Sequence, residues 1–236
     1  MRLLYIILYI ALPALLLCGC DEGDINPSSI QYNKDGRSVR LKGNIKGLDQ
    51  WSSKYSLRLA SFDDDSSYPI LSKEVSASED GTVDMRMTGI SDDATKVELC
   101  VLDRLRRRVF TLKEVDITSV SDTVYMDVGT LDGSMFGVMQ TQVFDNLCIG
   151  CHRDGENPSA QLTLTQGKSY ASLVNKASYK DNGAILAKPY DSGSSVLYQL
   201  MVSSLQEWHM PHKDIIKESS VKEYIREWIE SGCPGE

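Results

Sequence analysis

Between Ser38 and about Asp127, apolar and polar residues alternate in short segments. The clearest are Val39-Leu41-Ile45 (with Gly43 interposed), Tyr55-Leu57-Leu59, Val83-Met85-Met87, Val97-Leu99-Val101, Val109-Thr111 and Val124-Met126-Val128. A period of two sends alternate side chains to opposite faces, so each segment predicts a strand with one buried face. Asp63-Asp64-Asp65-Ser66-Ser67, Glu79-Asp80-Gly81 and Ser91-Asp92-Asp93 break the pattern, as turns between strands do. Six or seven strands over residues 38–130 predict an all-β sandwich.

After a connector at Gly129–Gly133 the period changes. Met135, Phe136, Met139, Val143, Phe144 and Leu147 fall on one helical stripe that runs into Cys148. Further helices are predicted around Tyr170, Leu173 and Val174 after Thr165, and from Ser194 or Ser195 through Val196, Leu197, Leu200 and Met201. The last helix carries Val221, Tyr224, Ile225, Trp228 and Ile229 behind a Ser220-Val221-Lys222-Glu223 capping box, and Gly232 and Pro234 stop it. The expected fold class is therefore two domains: an immunoglobulin-like or prealbumin-like sandwich, then an all-α domain over residues 134–236.

The amino terminus predicts an address. Arg2 precedes an almost wholly apolar run, Leu3 to Leu17, which is short for a membrane span. It ends in Leu17-Cys18-Gly19-Cys20, which resembles the lipobox of bacterial lipoproteins. That resemblance implies a signal peptide of residues 1–19, lipidation of Cys20 and a tether over residues 20–37. The implied location is the outer membrane or cell surface, with the periplasmic face as the alternative. Asp21, Glu22 and Asp24 after the cysteine suit either surface export or a solvated linker.

The chain of 236 residues has a formal net charge of −8, and the first 19 residues remove only Arg2. Nucleic-acid partners need a basic footprint, which this balance excludes. Arg104, Arg106, Arg107 and Arg108 form a basic tip on the β half, read as a solvated hairpin loop. Six cysteines are present, and Cys100 and Cys233 are left over for a bridge or for free thiols.

The strongest chemical signal is Cys148-Ile149-Gly150-Cys151-His152, the C-x-x-C-H attachment pattern of a c-type haem. Two thiols at this spacing reach two vinyl groups on one porphyrin edge, and the following imidazole can bind the iron. A redox dithiol or half of a zinc site are the rival readings. No second C-x-x-C accompanies it, and the only other histidines are His209 and His212. Covalent haem attachment takes place outside the cytoplasmic membrane, so the predicted export and the motif support each other.

From Met135 to Gly232 the chain resembles the cytochrome c-like domain of exported bacterial proteins. The resemblance rests on the haem motif, Leu162-x-Leu164, Pro189 with Ser195-Val196-Leu197-Tyr198, Met210-Pro211, and Ile225-x-x-Trp228-Ile229-x-x-Gly232. It implies one covalent haem c, held by Cys148 and Cys151, with His152 as proximal and Met210 as distal iron ligand. His209 and His212 are alternative distal ligands, giving a haem of lower potential. The expected function is an electron carrier rather than an enzyme, anchored to a membrane by lipid and serving unidentified redox partner proteins. Two rivals stand beside it. One is a haem sensor or enzyme with a labile sixth ligand, and the other a surface binding protein acting through its β half.

Overall fold

The computed structural model describes residues 37–119, 122–181, 183–203 and 212–235. Cys20, Met210 and His209, and with them the lipobox, lie outside the described residues.

Seven strands come first: β1 (Arg37–Lys46), β2 (Tyr55–Phe62), β3 (Leu71–Glu74), β4 (Thr82–Ile90), β5 (Lys96–Asp103), β6 (Arg108–Asp116) and β7 (Thr123–Asp132). They form two sheets, of order β4-β1-β7 and β3-β2-β5-β6. Strand β1 runs antiparallel to β4 and parallel to β7, whereas the second sheet is antiparallel throughout. The alternation explains the packing. Val39, Leu41 and Ile45 of β1, Met85 and Met87 of β4 and Met126 of β7 share one core with Leu57, Leu59, Val97, Leu99 and Val101. An immunoglobulin constant-type sandwich would instead divide its strands as 1-2-5-4 and 3-6-7.

A bulge interrupts the pairing of β1 with β7 between Lys42 and Asn44. Gly43 makes it possible. Its φ is +150°, and a Cβ there would lie 2.6 Å from Val128 Cγ2 and 2.7 Å from the Gly129 carbonyl oxygen.

The outer face of the second sheet is also covered. Ala60, Phe62, Cys100 and Leu102 form a separate buried cluster. Beside it Glu98 has no exposed surface. Its carboxylate binds the Arg108 guanidinium, accepts from Thr111 Oγ1 at 2.6 Å and lies 3.4 Å from Lys96 Nζ. The Arg108 guanidinium also stacks over Phe62 at 4.7 Å from the ring centre. One cation of the basic tip is thus built into the sheet, and a second, Arg107, pairs with Asp103 at 3.3 Å. Arg37 closes one end of the sandwich by donating to the carbonyls of Ile117 and Ala94, each at 2.8 Å, and of Ser91.

Beyond β7 follow α1 (Met135–Met139), which continues into a π-helical segment Gln140–Cys148, then α2 (Ser169–Leu173), α3 (Val196–Val202) and α4 (Ser219–Glu230). Ser134 opens α1, its Oγ accepting from the Gly137 N–H at 2.9 Å. Short 3₁₀ turns lie at Ser159–Gln161, Ser192–Ser194 and His212–Asp214. Isolated bridges join Val174 to Ala187 and Ala177 to Ile185.

This arrangement overturns the expected fold class. The described residues are about 25% helix and 33% strand, with two sheets and four short helices among them. It is not an all-β sandwich, immunoglobulin-like or prealbumin-like, followed by an all-α cytochrome c-like domain. The physical reason lies in what the helices pack against. The apolar stripe of α4 does not close a bundle but faces both halves of the chain. Tyr224 enters an aromatic slot of the β half, at 5.0 Å from Tyr55, 5.1 Å from Phe110 and 6.2 Å from Trp51, centre to centre. Its hydroxyl donates to the Met135 carbonyl at 2.9 Å. Trp228, one turn on, packs on Phe136 at 5.5 Å. Lys54 pairs with Glu227, and Trp51 Nε1 donates to the Gly133 carbonyl at 2.8 Å. One continuous apolar cluster therefore contains the strand residues together with Met135, Phe144, Tyr224 and Trp228.

The ends of the helices also differ from expectation. The capping box does not form: α4 begins at Ser219 after Glu218, and the Glu223 carboxylate instead accepts from Arg226 Nε at 2.9 Å. Ser195 precedes α3 without capping it, because its hydroxyl donates to the Asp191 carbonyl and accepts from Lys188 N–H, both at 2.8 Å. Gly232 ends α4 at φ +93°, where a Cβ would lie 2.5 Å from the Tyr190 ring.

Candidate functional site

The π-helical segment delivers the cysteine motif. Gln140–Cys148 is wound with a bond from Ile149 N–H to the Phe144 carbonyl, five residues back, at 2.9 Å. Such wide turns persist where side-chain contacts hold them. Here Gln140 does so. Its amide donates to Asp145 Oδ1 at 2.7 Å and to the Leu164 carbonyl at 2.9 Å, while its oxygen accepts from Ser169 Oγ. Gln140 thereby ties this helix to the start of α2 and to the strand-like stretch that carries Leu162 and Leu164. Sequence reading missed it, although a glutamine beside an otherwise apolar stripe is a visible signal.

After Cys148 the chain turns tightly. The Cys148 carbonyl accepts from both Cys151 N–H, at 3.2 Å, and His152 N–H, at 3.1 Å. The following loop folds back onto this turn: Ser159 N–H reaches the Cys151 carbonyl at 3.1 Å and Leu164 N–H the His152 carbonyl at 2.8 Å. His152 Nδ1 lies 3.2 Å from the Leu162 carbonyl oxygen. An N–H donated there fixes the tautomer and leaves Nε2 with its lone pair, the arrangement that metal-binding histidines use. Burial holds the His152 imidazole below its ordinary pKa, and the neighbouring His212 acts in the same direction against the Leu162 carbonyl.

Cys148, Cys151, Cys100 and Cys233 are all unbonded thiols. Burial, followed by the neighbouring Cys151, pushes the Cys148 thiol up to about 11. Redox dithiols are activated in the opposite sense, by a lowered pKa at a helix N-terminus. Cys148 sits instead at a helix C-terminus, where the macrodipole disfavours a thiolate. Among the described residues no three His, Cys, Asp or Glu side chains are grouped to hold one metal ion, as a tetrahedral zinc site would require. The motif holds two unbonded thiols with two residues between them, followed by an imidazole whose Nδ1 faces a carbonyl oxygen.

The remaining residues expected at the site are distributed as follows. Leu164 is buried beneath the loop, and Leu162 is half-buried. Val196 and Leu197 open α3 by donating to the Ile185 and Leu186 carbonyls, at 3.0 and 2.9 Å. Helix α3 packs on the His212–Asp214 turn. That turn brings His212 to His152, with ring centres 6.4 Å apart and planes inclined by 39°. Two uncovered apolar side chains flank this region, Leu147 beside Cys148 and Val202 at the end of α3. Cys100 and Cys233 belong to different buried clusters.

Gln140→Leu is expected to leave the buried Ser169 hydroxyl and the Leu164 carbonyl short of a partner. The expected cost is about 2 kcal/mol, read as a lower urea midpoint at unchanged slope. An unchanged midpoint would mean that Gln140 does not brace the turn.

Among the described residues no helix is long and apolar enough to cross a membrane. No protein-family model, no curated protein and no solved structure matches the chain.

Proposed function

We propose that the chain is an exported, lipid-anchored carrier of one covalently bound haem c, and that it transfers electrons on a fold other than that of cytochrome c. The observation that carries this reading is the Cys148-to-His152 turn. It joins two unbonded thiols to an imidazole whose Nδ1 is engaged by the Leu162 carbonyl. Cys148 and Cys151 would hold the porphyrin as thioethers, each thiol adding across one vinyl group with its proton passing to the vinyl carbon. His152 would bind the iron. When bound, haem supplies a one-electron couple, and the chain's own residues set its ligands and surroundings. Gln140 and the carbonyls of Leu162 and Cys148 keep the turn fixed, which lowers the rearrangement needed when the iron changes charge. Cys20 would carry the lipid, and the redox partners would be proteins at the same membrane.

The test is expression of the full chain in cells equipped for export and haem attachment, followed by denaturing electrophoresis with haem staining. Haem is expected to remain on the polypeptide, and to be lost when Cys148 and Cys151 are both changed to serine. A folded chain that carries no covalent haem under these conditions would sink the reading.

A further inference from the structure

We infer that His212 is the second iron ligand, so that the haem is bound between two histidines. This rests on the haem reading above and goes further by naming the ligand opposite His152. Three observations carry it.

The first is distance. Metal–imidazole bonds of about 2 Å place two rings that bind one ion from opposite sides about 6 Å apart, centre to centre. The His152 and His212 rings are 6.4 Å apart. No contact between the two imidazoles themselves explains such a spacing, since it is too wide for a direct hydrogen bond and the planes are inclined by 39°.

The second is an orphaned atom. His212 Nδ1 is buried and has no hydrogen-bond partner. A buried polar nitrogen without a partner costs about 1–3 kcal/mol, so native structures retain one where something else satisfies it. A ring nitrogen is the commonest metal ligand in proteins. The two imidazoles also differ in a way that suits distinct roles: His152 already has its Nδ1 tied to Leu162, and His212 has no such tie.

The third is the surface around the pair. A haem is a large apolar disc, and it is stable where apolar side chains cover its faces. Leu147, 44% exposed, follows the helix to Cys148, and Val202, 45% exposed, ends the helix that packs on the His212 turn. Both present apolar surface to solvent, Leu147 on the helix that ends in Cys148 and Val202 on the helix packed against the His212 turn. Cys151 is exposed, so its sulfur is reachable from solvent.

His212 follows a proline, and the 3₁₀ turn His212–Asp214 is held by a bond from Ile215 N–H to the His212 carbonyl at 3.1 Å. Helix α3 and this turn therefore position the imidazole independently of His152. Two nitrogen ligands give a lower reduction potential than nitrogen with sulfur, because thioether ligation favours the ferrous state.

The experiment uses the full chain matured with haem, in four forms: unchanged, His212→Ala, Met210→Ala and His152→Ala. Denaturing electrophoresis with haem stain reports covalent attachment, and optical and electron-spin resonance spectra report the axial ligands. Far-ultraviolet circular dichroism confirms that each variant is folded. The unchanged protein and Met210→Ala are expected to give the same low-spin spectra without a far-red methionine-to-iron band. His212→Ala is expected to keep its covalent haem while losing the low-spin signal, with carbon monoxide then binding to the reduced protein. A far-red band in the unchanged protein that disappears in Met210→Ala would overturn the assignment while leaving covalent haem attachment intact. A low-spin spectrum that survives His212→Ala would do the same. Absence of covalent haem in the unchanged protein would overturn both readings.

Discussion

Tyr224→Ala is expected to destabilise the folded chain by about 4 kcal/mol, the range found when a large buried aromatic side chain is truncated. The ring has no exposed surface and meets three others edge-on, at 5.0, 5.1 and 6.2 Å. Each such pair adds about 0.5–1.5 kcal/mol beyond the area buried. The slot cannot collapse to fill the void, because Tyr55 and Phe110 are fixed in β2 and β6 and Trp51 is tied to the Gly133 carbonyl. Tyr224→Phe separates the hydroxyl from the ring. It should cost about 1 kcal/mol, since the Met135 carbonyl loses the 2.9 Å bond but the packing remains. Burial pushes Tyr224 up and takes Tyr55 to about 12, with the Glu223, Asp103 and Glu227 carboxylates assisting at Tyr55, so both phenols are neutral in this comparison. Urea unfolding followed by tryptophan fluorescence and circular dichroism would check both variants. Because one cluster spans strands and helices, both probes should shift together. A shift in the helical signal alone would show that the two halves unfold separately.

Arg108→Ala should cost about 3 kcal/mol, a comparable loss from a different cause. Glu98 is wholly buried, with Arg108, Thr111 Oγ1 and Lys96 around its carboxylate. Removing the guanidinium leaves a buried charge with Lys96 as its remaining cation and uncovers the Phe62 ring. Lys96 is already shared with Glu114 at 3.4 Å. Changing Glu98 and Arg108 together to Gln and Leu should cost less than Arg108→Ala alone, since no unpaired charge remains. Thermal unfolding of the two variants would check the ordering. The reverse order would show that the pair contributes through attraction rather than through the penalty for breaking it.

How far these features could be read in advance depends on the range of the interaction behind them. Residues such as Val39, Leu41, Val97 and Leu99 are buried where a period of two places them, because alternation is a local property of a strand. The rule failed at β6, where Val109-Thr111 suggested an inward face but Phe110 is the buried residue. Register shifts in its pairing with β5 rotate that strand, and bulges leave no mark in the hydrophobic pattern. The four-residue β3 is too short for alternation to register. In the second half, Val221, Tyr224, Ile225, Trp228 and Ile229 do share a buried stripe. A stripe shows that a face is covered and not what covers it, and this is where a bundle was expected and a sheet-bound slot was found.

The same distinction applies to the site. Cys148, Cys151 and His152 fall within five residues, so their pattern was legible from spacing alone. The Leu162 carbonyl, Gln140 and the approach of His212 depend on how the loops fold back. A carbonyl has no signature in a sequence, and Gln140 could be noticed only as an interruption. Met210, favoured by the resemblance, and its alternative His209 are outside the described residues, whereas His212, the other alternative, is set apart by its distance from His152.

The aromatic slot has a further consequence for how the chain is made. Lys54 meets its partner Glu227 across 173 residues, and Tyr224 fills a space bounded by side chains synthesised much earlier. Contacts of such long sequence separation are slow to form, because the entropy of loop closure must be overcome first. Until the carboxy-terminal helix has emerged, the early strands present an open, greasy notch and cannot lock into their final state. The sandwich core is therefore completed only when the last helix is in place.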